Sequence, residues 1–339
     1  MIEVKGLTRY YGSFAAVQDA SFNIEDREIV GLLGLNGAGK STILRVLAGL
    51  QMPSAGTVLV GGIDATVAPD ALRRRIGFLP EDPPLYREMR VDEFLRWVGQ
   101  LKGCTRAEVD AELPRVMETC RLTDSANQVI GELSHGYRKR VGIAQAIIHK
   151  PAVVILDEPI SGLDPRQIVE MRSVVRALKS FATVLISSHI LSEIAQTVDR
   201  ILVIHRGRIV AEGTEQQLSG SLGDGARLSV IVRGRLDACE EALAKSDLVD
   251  GYELTAAGEL VSASVTLRGD TREAFVKELV GAGLGVRSVQ DAMGELEQIF
   301  LELTRAAGAP AALESKQNPV LKRPTEKPVE KPTQKEADA

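Results

Sequence analysis

Unbroken apolar runs punctuate the first two thirds of the chain, at Glu28 to Leu33 (EIVGLL), Ala152 to Leu156 (AVVIL) and Thr183 to Ser187 (TVLIS). Runs of this kind suit parallel strands buried on both faces. Between them the period changes to that of a helix, as in Ser41 to Leu50 (STILRVLAGL), so Ile2 to about Ser219 reads as strands and helices in alternation. That order predicts an α/β fold built on a parallel sheet. Short strands at Ile2 to Val4, Ser21 to Ile24 and Thr57 to Val60, with a hairpin over Arg200 to Ala211 turning at Arg206-Gly207, predict an additional antiparallel layer. Between Leu85 and Leu133 the strand signal disappears. Val91 to Leu101 and Arg106 to Cys120 read as helices, with Pro114 expected to kink or restart the second, which predicts a helical insertion over about 85–135.

A small-residue stretch, Ser219 to Gly225 (SGSLGDG), interrupts the pattern, and the periodicity then restarts as an independent unit. Arg227 to Val232 reads as a strand, Leu236 to Lys245 as a helix and Tyr252 to Leu267 as two strands around Ala257-Gly258. Thr271 to Ala282 reads as a helix and Gly285 to Val289 as a strand. The order β-α-β-β-α-β is the ferredoxin-like plan, an α+β unit. An amphipathic helix is expected at Leu296 to Leu303, followed by a tail of Pro, Lys, Glu and Ala that cannot bury enough apolar area to order itself. The expected organisation is therefore a first domain over 1–219, a linker over 220–226, an accessory domain over 227–304 and a disordered tail over 305–339.

Composition narrows the picture only in places. With 41 basic and 46 acidic residues the formal charge is −5, so no global basic field favours nucleic acid as a partner. The clusters Arg73-Arg74-Arg75 and Arg138-Lys139-Arg140 read as solvated helix faces or protein contacts. Cys104, Cys120 and Cys239 lack a metal-ligand spacing and fit reduced thiols. The opening Met1-Ile2-Glu3-Val4 has no secretory pattern, and no run of about 18 uncharged apolar residues would span a bilayer. A membrane role would need a separate partner.

The chemistry is concentrated in Gly34 to Thr42, reading Gly-Leu-Asn-Gly-Ala-Gly-Lys-Ser-Thr between a strand and a helix. Its glycines let the backbone curl around an anion, and the helix N-terminus that follows favours negative charge. Lys40 supplies a charge for β- and γ-phosphates and Ser41 a hydroxyl for Mg²⁺. Gly34, Asn36, Gly37, Ala38, Gly39, Lys40, Ser41 and Thr42 are thus the candidate phosphate contacts, and the expected ligand is a nucleoside triphosphate, ATP, with Mg²⁺. Val153 to Glu158 (VVILDE) adds two carboxylates just after a buried strand, where open parallel sheets hold ligands. Asp157 would reach Mg²⁺ directly or through water, and Glu158, pointed elsewhere, would polarise an attacking water as general base. Taken alone, the pair equally fits an acidic helix N-cap.

Leu133 to Arg140 (LSHGYRKR), together with the phosphate loop, VVILDE, Ser161 to Asp164 (SGLD) and Ser187 to His189 (SSH), resembles the nucleotide-binding subunits of ABC transporters over about residues 1–219. The resemblance implies a P-loop ATPase with an antiparallel β subdomain and a helical insertion. It implies that Ser134 and Gly136, at a helix N-terminus, donate to the γ-phosphate held by a second protomer. His189 would hold the γ-phosphate and the water near Glu158, and the SGLD loop would communicate across the dimer. Tyr11 matches the aromatic that stacks on adenine, although the neighbouring Tyr10 leaves that register open.

The pattern departs from the family at His135 and Tyr137, where Gly and Gln are usual, at Glu81, where a metal-contacting Gln is usual, and at Ile160, where Thr is frequent. A carboxylate at Glu81 would still be able to approach Mg²⁺ or water. Within the family, the LPE and GLDP runs and the segment Leu296 to Thr304 look like ABC-2 type exporters. The resemblance is greatest to the branch of gliding-motility-associated or multidrug and polysaccharide export.

The implied protein is an ATPase, cytoplasmic and peripheral on the inner face of the cell membrane, which dimerises on ATP and drives export by a separate polytopic permease. The second protomer is expected to be a copy of the same chain. Two further readings stay open at this point: a soluble ABC ATPase acting on a ribosome or DNA complex, and a binding module that switches with ATP without hydrolysing it. A single phosphate loop and a short insertion weigh against the first, and Glu158 with His189 against the second.

Overall fold

The apolar runs become the strands of two sheets in the computed structural model, which describes residues 1–220, 227–269, 271–291 and 321–322. Residues 1–219 fall in one compact unit and the described residues from 220 onward in another. In chain order the first unit carries β1 (Ile2–Tyr11), β2 (Phe14–Ile24), β3 (Ile29–Leu33), α1 (Lys40–Leu47), β4 (Ala55–Val60), β5 (Ile63–Asp64), α2 (Pro69–Arg75) and β6 (Ile76–Leu79). Then come α3 (Val91–Leu101), α4 (Arg106–Thr119), α5 (His135–Ile147), β7 (Val153–Leu156), α6 (Pro165–Leu178), β8 (Thr183–Ser188), α7 (Leu191–Ala195), β9 (Arg200–His205), β10 (Arg208–Gly213) and α8 (Glu215–Gly220).

The larger sheet has the order β10-β9-β3-β8-β7-β6, parallel except for β10. Its register sets the carboxyl ends of β3, β7 and β8 side by side, with Leu33 opposite Ser188 and Leu156 opposite Ile186. Whatever follows those strands meets at one edge, the place where open α/β sheets hold ligands. The smaller sheet, β2-β1-β4-β5, is antiparallel throughout. Side chains from both sheets and from α1, including Val17, Ile43, Leu44, Val58, Ile155 and Leu202, share one buried core.

β1 and β2 are longer than the pattern predicts, because register shifts between Val4 and Leu7 and between Leu7 and Arg9 break the strict alternation that marks a strand. β6, a strand that the sequence pattern does not mark, is the edge strand beside β7. The insertion holds α3 and α4, and α4 continues through Pro114 rather than restarting there. Pro114 and Asp110, whose carbonyl loses its intrahelical donor, are both exposed, a position where the cost of the missing bond is lowest. A capping box between Thr105 and Glu108 fixes where that helix begins.

The second unit is β11 (Arg227–Arg233), α9 (Leu236–Lys245), β12 (Val249–Ala257), β13 (Leu260–Leu267), α10 (Arg272–Gly281) and β14 (Gly285–Asp291). All its pairings are antiparallel, in the order β14-β11-β13-β12, the ferredoxin-like arrangement. Leu228, Val230, Val261 and Val265 of the sheet pack with Leu243, Phe275 and Leu279 of the two helices. In the expected disordered tail, Leu321–Lys322 forms a two-residue strand, β15, on the edge of β12. The rest of that tail, the expected helix at Leu296 to Leu303 and most of the linker lie outside the described residues. Among the described residues no helix is long and apolar enough to cross a membrane. All three cysteines are free, and burial pushes the thiols of Cys120 and Cys239 up to about 12 and about 11.

Candidate nucleotide site

The phosphate loop leaves the end of β3 and enters α1 through Gly39, whose φ of 109° lies in the left-handed region. A Cβ at Gly39 would stand 2.5 Å from the Ala16 carbonyl, and one at Gly34 would stand 2.7 Å from that of Ile204, so both positions require glycine. α1 starts with no side-chain cap and no acidic residue in its first turn, which leaves its N–H groups for an anion. The turn Arg206-Gly207 braces the loop from behind: Gly207 N–H donates to the Ala38 carbonyl at 2.8 Å, and the Gly207 carbonyl accepts from Gln18 N–H at 2.8 Å.

Lys40 is buried, and its Nζ lies 2.6 Å from the Gly34 carbonyl and 3.2 Å from Glu158 Oε1. Glu158 is buried too. Its other oxygen, Oε2, is 2.9 Å from His189 Nδ1. A carboxylate oxygen only accepts, so Nδ1 is the donor of this bond, and the ring is oriented by it. The Glu158 backbone has φ 48°, a left-handed conformation that costs a residue with a Cβ about 1–3 kcal/mol and persists only where neighbours enforce it. Its N–H donates to Ser187 Oγ at 2.8 Å. The Ser187 hydroxyl in turn donates to Asp157 Oδ1 at 2.7 Å, so one serine on β8 holds both the Asp157 carboxylate and the Glu158 backbone at the end of β7.

A cleft of about 510 Å³ opens over this edge, lined by Tyr11, Phe14, Asn36, Gly37, Gly39, Lys40, Ser41, Thr42, Glu81, Glu158, Ser161 and His189 among others. A cleft of similar size beside α2 contains none of them. Tyr11, not Tyr10, lines the cleft, with its hydroxyl 2.6 Å from Gln51 Oε1 and the Arg9 guanidinium 5.1 Å from its ring centre. Phe14 is an aromatic that the sequence did not single out; it is 63% exposed beside the β1–β2 turn and lines the same cleft. Gly34 and Ala38 stay in the wall of the loop, and Asp157 lies behind the cleft surface.

Ser134 and Gly136 do not line the cleft. Ser134 caps α5, its Oγ accepting from Tyr137 N–H at 3.4 Å, and Gly136 is pressed against Gln167 of α6, where a Cβ would come within 2.8 Å. α6 begins at the SGLD loop, whose Asp164 caps it by accepting from Gln167 N–H at 2.9 Å. The basic cluster on α5 is not a solvated face, because Lys139 and Arg140 are 2% and 3% exposed. Arg140 pairs with Glu170 and stacks over the Tyr137 ring. Lys139 Nζ donates to the Glu81 carbonyl at 2.6 Å and to the Glu158 carbonyl at 3.2 Å. Burial pushes its ammonium pKa down, against the opposing pull of Glu81, Asp82, Glu158 and Asp157.

Residues 17–161 match the family described as ABC transporter. The chain is 36% identical over 308 residues to the daunorubicin/doxorubicin resistance ATP-binding protein DrrA of Streptomyces peucetius, covering 89% of this chain and 92% of that one. That alignment therefore includes most of the second unit. The bacitracin transport ATP-binding protein BcrA of Bacillus licheniformis is 31% identical over 303 residues, 84% of this chain and 98% of that one. Among solved structures, an ATP-binding subunit of an ABC transporter superposes with a TM-score of 0.59 at 31% identity, over 66% of this chain and 93% of that one. These relatives bear out the resemblance seen in the motifs and its drug-export, ABC-2 character. With the phosphate loop, the paired carboxylates and the cleft in place, the chain belongs to the ABC transporter family as an ATP-binding subunit that hydrolyses ATP.

Proposed function

We infer that the chain is one of two ATPase protomers on the inner face of the cell membrane that close on ATP and drive export through a separate polytopic permease. The observation that carries the hydrolytic part is Glu158, fixed between Lys40 and His189 at the wall of the cleft. ATP phosphates would rest on residues 34–42, with Lys40 neutralising the β- and γ-phosphates. Ser41, Asp157 and Glu81 offer the hard oxygen donors that suit Mg²⁺, and the scarcity of protein ligands fits a cation held mainly by substrate phosphates. When bound, that ion would supply charge neutralisation at the phosphate oxygens. Glu158 would accept the proton of a water attacking the γ-phosphorus, and His189 would keep Nε2 toward the transferred group. Tyr11 and Phe14 give the open side of the cleft the apolar surface that a purine stacks on.

The second protomer follows from what the cleft lacks. Ser134 and Gly136 sit at an N-terminus with no acidic residue in its first turn, away from the cleft of their own chain. In a head-to-tail pair they would complete the partner's site. In the Glu158→Gln background, Ser134→Arg is expected to retain ATP binding while abolishing the ATP-dependent dimer in light scattering. A dimer that forms normally would remove Ser134 from the interface.

The permease surface is assigned to the helical insertion and the Glu81 loop. Tyr86, Trp97 and Leu101 are exposed there, and the Tyr86 and Trp97 rings meet edge to face at 4.8 Å. Relatives named for drug resistance and bacitracin transport support export over the ribosome or DNA reading, which no observation favours. The second unit, without a cluster of His, Cys, Asp or Glu that could hold a metal among its described residues, is assigned a role in stabilising or regulating the dimer. Detergent extracts of membranes carrying the tagged chain are expected to yield a polytopic membrane protein in stoichiometric amount. Recovery of the chain with ribosomes, or alone, would sink the transporter reading.

A further inference from the structure

We propose that Lys139 is a positioning residue for hydrolysis, which clamps the Glu158 backbone and the Glu81 loop into one arrangement. This rests on the reading of Glu158 as the base. A glutamate at φ 48° must be held by both ends of its peptide units, and here both are held. Ser187 Oγ takes the Glu158 N–H at 2.8 Å and Lys139 Nζ donates to the Glu158 carbonyl at 3.2 Å. With the backbone fixed in that conformation, the side chain is aimed between Lys40 and His189.

The same ammonium reaches a second segment. At 2.6 Å from the Glu81 carbonyl, it ties down the backbone of a residue whose side chain lines the cleft. Lys139 also stands on a helix face seated without slack against that segment. One turn further along α5, a Cβ at Gly142 would meet Leu79 at 2.5 Å and Pro83 at 2.9 Å. A turn beyond that, the Ala146 carbonyl lies 2.2 Å from where a Cβ of Gly77 would stand. Residues 139, 142 and 146 share one side of the helix. α5 therefore bears on β6 and the Glu81 loop as a rigid strut, and Lys139 is the point at which the strut touches the base. The Glu158 carbonyl also accepts from Ser161 N–H at 3.3 Å, but Lys139 is the side chain that joins it to both α5 and the Glu81 loop, so a shift of either bears on Glu158 through that ammonium.

A buried lysine is an exacting choice for this task. Two carbonyls from separate segments need two donors from one atom, which an ammonium provides and an apolar side chain does not. Burial works against its charge, and the carboxylates of Glu81, Asp82, Glu158 and Asp157 favour it.

The test compares Lys139→Met, which keeps the length of the chain and removes the donors, with Lys139→Gln, which restores an amide donor. Steady-state hydrolysis and nucleotide affinity by displacement of a fluorescent ATP analogue are measured on the full chain, with Glu158→Gln as reference. The expected result for Lys139→Met is a kcat lower by about 10²-fold, the cost typical of a misplaced catalytic group. ATP affinity should stay within about threefold of native, because the phosphate loop is untouched. Lys139→Gln should recover at least about tenfold of the lost rate, since one carbonyl regains its donor. A native kcat in Lys139→Met, equal losses of rate and affinity, or a Gln variant no better than Met overturns the proposal. If Lys139→Met does not fold, the Gln variant decides alone by its split between kcat and affinity, and loss of fold in both makes Lys139 a structural element and overturns it as well. Full turnover in Glu158→Gln would instead remove the base itself, a different outcome from a silent Lys139.

Discussion

Glu158→Gln is expected to bind ATP with near-native affinity and to lose at least about 10²-fold in turnover, the lower end of what a general base contributes. The substitution keeps shape and an acceptor oxygen, so the amide oxygen can still accept a hydrogen bond from His189 Nδ1, which lies 2.9 Å from Oε2 in the native chain. What it removes is the basic oxygen and its negative charge beside Lys40. A base that acts only as the water is deprotonated contributes nothing to ground-state binding, so rate and affinity should part company. Nucleotide titration beside phosphate-release kinetics reads both quantities on one sample. Hydrolysis at the native rate would exclude Glu158 and move the search for the base to the other carboxylates of the edge, Asp157 and Glu81.

The phosphate loop was legible because every part of it is contiguous: glycines, lysine, hydroxyls and the helix start fall within Gly34 to Thr42, and local rules govern each. Asp157 was legible for a related reason, since it directly follows an apolar run whose parallel pairing brings strand ends together, whereas His189 was legible only through the family resemblance carried by the motifs around it. Lys139 was not legible. Its partners lie 58 and 19 residues away, and a lysine inside a basic triplet has the same local signature whether it is solvated or buried. Phe14 escaped because an exposed aromatic near a hairpin turn becomes part of a site only when the turn folds over the cleft.

Elements were lost where geometry departs from the ideal period. The bulges of β1 interrupt its alternation, and β6, at four residues, is too short to announce itself beside a glycine and a proline. Pro114 misled in the opposite direction, because its cost depends on whether the freed carbonyl can reach solvent, and at the exposed Asp110 it can. The second unit was read almost element by element, since its short strands alternate and turn residues such as Gly258 at φ 66° separate them.

Lys40→Ala should fail earlier in the cycle, at binding. Its ammonium is the buried cation of the loop, 5% exposed, and there a phosphate meets an unscreened charge, not a solvated one. Removing it is expected to weaken ATP binding by roughly 10²-fold or more, which corresponds to about 3 kcal/mol. A second effect runs beside the first: Glu158 Oε1 loses the cation 3.2 Å away and is left buried with no hydrogen-bond partner, so the empty fold should also lose stability. The two effects can be separated. Lys40→Ala, Glu158→Gln pairs the missing cation with a neutral amide; it should recover much of the thermal stability and none of the ATP affinity. Affinity restored in the double variant would mean that the single variant lost binding through a distorted loop, whereas affinity still absent in a stably folded double variant assigns the phosphate charge to Lys40 itself.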